Sequence, residues 1–299
     1  MERQAIINSK LLAALLCPCL WAALTLTACS EDAPDARSIF PDHVETVQND
    51  FDRWLQKNYV EPYNIDFKYR FEFRESDPQY NLAPADYTKS IALAKLTRYL
   101  WIDAYEELMG RDFVCAYAPK ILCLVGSPAY NTGGGLVLGT AEGGMKIVLY
   151  NVNRLDYQKP DISFLNEWFF NTMHHEFAHI LHQTIAYPTD FNEISKADYQ
   201  STSWVNLSNQ AAVAMGFVNN YASSEVREDF VQTIAFYITK SDEEWQRLYA
   251  GNAKIAQKLA MVRDYLNGSW GIDLDRLHQI VQRRQQEVAD GKLDLQSLN

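Results

Sequence analysis

The sequence predicts an α+β fold: a small twisted β-sheet packed on one long histidine-bearing helix, followed by a mainly helical C-terminal part. Three observations carry this. Short apolar runs lie at 120–126, 135–139 and 146–152 between glycine-rich breaks, the pattern of a few short strands. A stretch with helical spacing, from about Ser163 to Thr184, holds four of the six histidines in this 299-residue chain. Beyond Pro188 the pattern is mostly helical to Asn299, with breaks near Asn219 to Ser224 and at Asn267-Gly268-Ser269.

Taken in order, Val47, Phe51, Trp54 and Leu55 have helical spacing over 44–59, and 63–73 then alternates apolar and polar residues as a half-buried strand does. The spacing of Ile91, Leu93, Ala94, Leu96, Leu100 and Trp101 predicts an amphipathic helix over 86–108. Next come the three apolar runs, and Glu142-Gly143-Gly144 reads as a hairpin turn between the last two strands. The cluster Gly133 to Gly135 is not followed by Gly-Lys-Ser/Thr or by a helix, so it reads as a flexible turn and not a phosphate loop. The strand at 146–152, just before the histidine helix, suits an edge on which an extended peptide pairs. There is no internal repeat.

The N-terminus reads as an export signal over 1–28: Arg3 and Lys10 supply positive charge and 11–26 is apolar and small. Leu26-Thr27-Ala28-Cys29 resembles the lipobox of bacterial lipoproteins, which makes Cys29 the lipid-bearing first residue of the mature chain. The acidic stretch that follows is a solvated tether over 29–45. This places the protein at a bacterial outer membrane, surface-exposed or on the periplasmic face. The formal net charge is −11, and loss of 1–28 removes two bases and one acid, so the chain is a poor partner for nucleic acid. Cys115 and Cys123 lie in apolar runs and could form one disulfide or remain buried thiols; two cysteines without Cys-x-x-Cys make no zinc ribbon.

His174-His175-Glu176-Phe177-Ala178-His179-Ile180-Leu181-His182 contains one H-E-x-x-H. His175 and His179 are about one helical turn apart and can reach one Zn2+, while Glu176, about 100° round the same turn, is near enough to take a proton from a water. Met173, Phe177, Ile180 and Leu181 fall on the opposite side. A zinc hydrolase needs a third protein ligand. Geometry argues against His182 as that ligand, because it lies about 10.5 Å along the axis from His175; it reads as a residue that supports a ligand or faces substrate. Gln183-Thr184-Ile185 lacks the glycine and histidine of the metzincin pattern.

The segment Glu225 to Ala235 resembles the Glu-x-Phe-Ala-Glu run of gluzincin peptidases, including the lethal factor type, in which the first Glu is the third ligand. The resemblance maps that role onto Glu228, puts Gln232 where a second glutamate is usual, and gives Tyr221 the role of oxyanion donor. The chain also resembles the zinc-binding metallopeptidase lipoproteins of the Bacteroidota, a group encoded beside outer-membrane glycan-uptake systems. That likeness rests on 59–65, Pro119-Lys120, Val125-Gly126-Ser127, 138–144, 174–183 and Glu228-Asp229-Phe230, and spans about 47–265. It implies one zincin-like domain over 46–299, with an α/β part (46–185) and a helical part (186–299). It also implies hydrolysis of a peptide or protein substrate, with possible glycan-uptake components as partners. The rival reading is a non-catalytic surface module of glycan uptake that keeps a structural zinc.

Overall fold

The structure is a computed structural model describing residues 48–72, 79–130, 136–137, 139–142 and 145–298. The export signal, Cys29, the acidic tether and the glycines at 133–135 and 143–144 lie outside the described residues.

Helix α1 covers 50–63, as Asp50–Leu55, a π-helical turn Gln56–Val60 and Glu61–Tyr63. Asn49 starts it with a reciprocal cap, accepting from the Asp52 N–H while its own N–H donates to the Asp52 carboxylate. Asn64 ends it in the left-handed region, φ 54°. The strand expected over 63–73 therefore shrinks to β1, Asp66–Lys68. The alternation was nevertheless a true burial signal, since Tyr63, Ile65, Phe67 and Tyr69 are all buried. Helix α2 covers 87–109 with a π turn at Arg98–Ile102, and Asp86 caps it. A helix not foreseen in the sequence, α3 (Arg111–Tyr117), follows Gly110.

The strands are β2 (Ile121–Leu124), β3 (Ala129–Tyr130), β4 (Leu136–Val137), β5 (Gly139–Glu142) and β6 (Lys146–Leu149). The main sheet has the order β1-β2-β6-β5, parallel except for the β5–β6 pair; β3 and β4 form a separate antiparallel pair. β6 is thus an inner strand and not the expected edge, and all four of its residues are buried. The edge on that side is β5, which packs near the histidine helix. Cys115 and Cys123 form no disulfide, and the Cys115 thiol donates to the Pro62 carbonyl.

The histidine helix, α4, covers 162–184: Ile162–Leu165, a π turn Asn166–Phe170 and Asn171–Thr184. Asp161 caps its first turn. The π turn carries the consecutive Trp168, Phe169 and Phe170, all three of them buried. Past the short α5 (Phe191–Ile194) and α6 (Asn209–Met215) comes α7 (Val226–Thr239), which packs along α4 and buries Phe230, Val231 and Ile234. α8 (Asp242–Tyr249), α9 (253–270) and α10 (Leu274–Ala289) complete the fold; α9 and α10 pack on α7. The break expected at 267–269 is instead a π turn, Leu266–Trp270, and the chain turns at Gly271. Asn166 and Gln285 exchange side-chain hydrogen bonds, and Asn166 also donates to the Thr239 carbonyl, which fixes α4 against the end of α7 and against α10. Among the described residues no helix is long and apolar enough to cross a membrane.

Candidate metal centre

The two long helices of the core bring the sequence-predicted residues together. The Nε2 atoms of His175 and His179 are 3.1 Å apart on α4. From the first turn of α7, Glu228 sets Oε2 at 3.1 Å from His175 Nε2 and Oε1 at 3.3 Å from His179 Nε2. The ligand atoms of all three residues lie within 4.8 Å of one another. Two imidazoles and a carboxylate whose ligand atoms converge in this way, with Glu228 Oε2 buried among them, fit a divalent cation that takes nitrogen and oxygen. Burial pushes the Glu228 carboxyl up, but hydrogen bonds and charge from His175 and His179 outweigh it and hold the group well below the usual carboxylate range. An acidic residue is also favoured in the first turn by the positive end of the helix dipole.

Glu176 and Tyr221 flank this cluster. Burial raises the Glu176 carboxyl, against the opposing pull of His175 and His179, so it is a stronger base than an exposed glutamate. Tyr221 stands on the single turn Tyr221–Ser223, with its ring centroid 6.0 Å from that of His175. Burial first, then the nearby Glu228 carboxylate, holds Tyr221 well above its ordinary value, so it is a hydrogen-bond donor.

The other two histidines separate by role. His182 Nε2 lies 2.9 Å from Nδ1 of His179, the ring nitrogen opposite the one facing Glu228. With the Nε2 lone pair of His179 kept for a cation, Nδ1 must carry the proton and donate it to His182, which fixes the tautomer and raises the ligand's basicity. Tyr187 and Phe230 pack edge-on against the His182 ring, and burial pushes its pKa down to about 4, so it stays a neutral acceptor. Contrary to a simple apolar-versus-histidine division of α4, the histidine face is also covered: His175 and His182 are both buried.

His174 belongs to the core. Its Nδ1 is 3.0 Å from the Tyr105 hydroxyl, and burial lowers its pKa from 6.5 to about 3. A depressed histidine binds fewer protons folded than unfolded between those values, so its stabilising effect is complete above pH 6.5 and is lost as the pH falls toward 3. The His174 ring is expected to show the nitrogen shifts of neutral imidazole at pH 5 in NMR spectra of the intact protein. Imidazolium shifts at that pH would contradict its enclosure.

Sequence reasoning missed one anchor. Lys258 on α9 reaches Asp229 Oδ2 at 2.6 Å, with both side chains shut off from solvent, and donates to the Gly216 carbonyl at 2.7 Å. The Tyr199 hydroxyl also donates to Asp229 Oδ2, at 2.8 Å. Lys258 therefore ties the residue after Glu228 to the loop leading to Tyr221. Gly216 closes α6 at φ 102°, and a Cβ there would stand 2.7 Å from Lys254 side-chain atoms, so only glycine fits. The available signal was a lysine on the apolar face set by Ile255, Leu259 and Val262.

Gln232, where the gluzincin pattern has a carboxylate, is one turn beyond Glu228; its Oε1 and the Nδ1 of His175 are both buried without a hydrogen-bond partner. A carboxylate at this position would offer His175 a stronger acceptor. Gln232→Glu is therefore expected to tighten zinc binding about tenfold in a chelator competition. Unchanged or weaker binding would show that the amide is not what limits affinity.

Residues 44–275 match the family described as "Putative zinc-binding metallo-peptidase". A crystal structure described in the same words, from Bacteroides caccae, is 42% identical, with a TM-score of 0.72 over 88% of this chain and 100% of that one. No curated protein matches the chain. With the match running from before α1 to the start of α10, and so across both helices of the cluster, the chain belongs to this zinc-binding metallo-peptidase family.

Proposed function

We propose that the protein is a zinc-dependent peptidase of the gluzincin type, with His175, His179 and Glu228 as zinc ligands, Glu176 as general base and Tyr221 as oxyanion donor. The observation that carries this is the convergence of two Nε2 atoms and the Glu228 carboxylate beside the half-buried Glu176. Zinc held there supplies a Lewis acid that acidifies a water and polarises a carbonyl. Glu176 takes the proton of the attacking water and delivers it to the leaving amine. Tyr221, protonated and aimed at the cluster, donates to the oxygen that gains charge as the carbonyl is attacked. The edge on which an extended peptide could pair is β5, antiparallel to β6 and next to α4.

The position of His182 favours this over the rival structural-zinc module. A closed site would have His182 or another side chain as fourth ligand, and the Nε2 of His182 bonds the far nitrogen of His179 instead. Among the described residues the metal-capable group is His175, His179 and Glu228, three protein ligands, as in a catalytic site with one position left for water. Zinc-loaded protein is expected to cleave peptides in a mixed digest, to stop with a chelator and to resume with added zinc. No cleavage by fully loaded protein would overturn the peptidase reading.

The same reading includes a lipid anchor at Cys29, the tether over 29–45, and a place at the outer membrane beside glycan-uptake components. Cys29→Ser is expected to move the protein out of the membrane fraction; retention there would sink the anchor.

A further inference from the structure

One surface segment beside the cluster is held more firmly than its own burial explains. Ser201–Asn206 forms a short 3-10 helix that contains no buried residue. It is clamped to the Tyr221 turn from both ends: Gln200 N–H donates to the Ser223 carbonyl at 2.7 Å, and the Asn220 side chain donates to the Leu207 carbonyl at 3.1 Å. Ser201 adopts φ 49°, a left-handed conformation that costs energy in a non-glycine residue and persists where the surroundings impose it.

What this segment presents is apolar. The Trp204 ring stands edge-on to Tyr221, centroids 5.0 Å apart, and Tyr221 is in turn 6.0 Å from His175. Trp204 is half-buried and Val205 is 60% exposed. Ordering a largely exposed segment costs conformational entropy, which the clamps at both of its ends offset, and the result is a tryptophan and a valine held beside the cluster.

We propose that Trp204, with Val205, is the wall of a specificity subsite that takes an apolar or aromatic side chain of the substrate next to the scissile bond. This rests on the peptidase reading for the word substrate, but the subsite itself is a binding property of the zinc-loaded protein. The surface offered to the substrate's side chain here is mostly carbon, so an apolar or aromatic side chain gains by burial against it. Trp204 and Val205 offer no hydrogen-bond acceptor on their side chains to a polar one.

Small hydroxamates anchored on the zinc test this without requiring turnover. Competition binding is measured with L-phenylalanine hydroxamate, glycine hydroxamate and L-arginine hydroxamate on the zinc-loaded wild type, Trp204→Ala and Trp204→Phe, with zinc content checked for each. The wild type is expected to favour the phenylalanine probe over the glycine probe about tenfold or more. Trp204→Ala should lose that preference while still binding the glycine probe, and Trp204→Phe should keep most of it. Equal binding of the phenylalanine and glycine probes by the wild type, a preference that survives Trp204→Ala, or preference for the arginine probe would overturn the proposal. If the preference is found but no peptide is cleaved, the peptidase reading fails and the subsite stands.

Discussion

Replacing Glu176 with glutamine is expected to leave zinc bound and to lower peptide hydrolysis by roughly 10²–10⁴-fold, the usual contribution of a general base. The amide has nearly the shape of the carboxylate, so the distances among His175, His179 and Glu228 should not change. It cannot accept a proton, so only the step assigned to Glu176 is removed. Zinc content and kcat/KM measured on the same sample separate the two effects. Equal cleavage by variant and wild type would remove Glu176 from the mechanism, and loss of zinc would recast it as a structural support. Burial raises the Glu176 carboxyl, which brings its proton affinity closer to neutrality and suits the task.

Lys258→Ala should be the most damaging single change outside the cluster, lowering unfolding stability in denaturant by about 3–5 kcal/mol. The lysine is closed off from solvent with Asp229, and its removal leaves a buried carboxylate whose Oδ1 already lacks a partner. The Tyr199 hydroxyl would be the one remaining donor to Oδ2. The variant also loses the bond to the Gly216 carbonyl and the cation 4.1 Å above the Phe217 ring. A double variant, Lys258→Met with Asp229→Leu, is expected to recover most of the loss, because it removes both buried charges together. A loss below about 1 kcal/mol for Lys258→Ala would mean that water reaches Asp229.

The histidine helix was legible because its spacing, length and motif agree: the expected span from Ser163 to Thr184 differs from α4 by one residue. Glu228 was reachable only through resemblance, since nothing local says that a glutamate 49 residues after His179 returns to the same point. The role of His182 needed the actual ring positions, because spacing along a helix excludes a ligand more readily than it assigns a hydrogen bond. The sheet order was not legible, as strand pairing is set by long-range packing; still, Lys146–Leu149 lacks alternation, which is the mark of an inner strand. Trp204 carried no signal at all, being one aromatic residue in a polar stretch whose clamps come from Ser223 and Asn220, some twenty residues on.

The π turn within α4 has a consequence for chain length. Regular α-helix turns by about 100° per residue, so one residue lost between Asn171 and His175 would swing His175 and His179 away from Glu228. One residue lost within Asn166–Phe170 can instead be absorbed as the wide turn tightens to an ordinary one. This helix therefore has one short stretch where a single-residue deletion leaves its histidines in phase, and relatives of different length should show their gaps there.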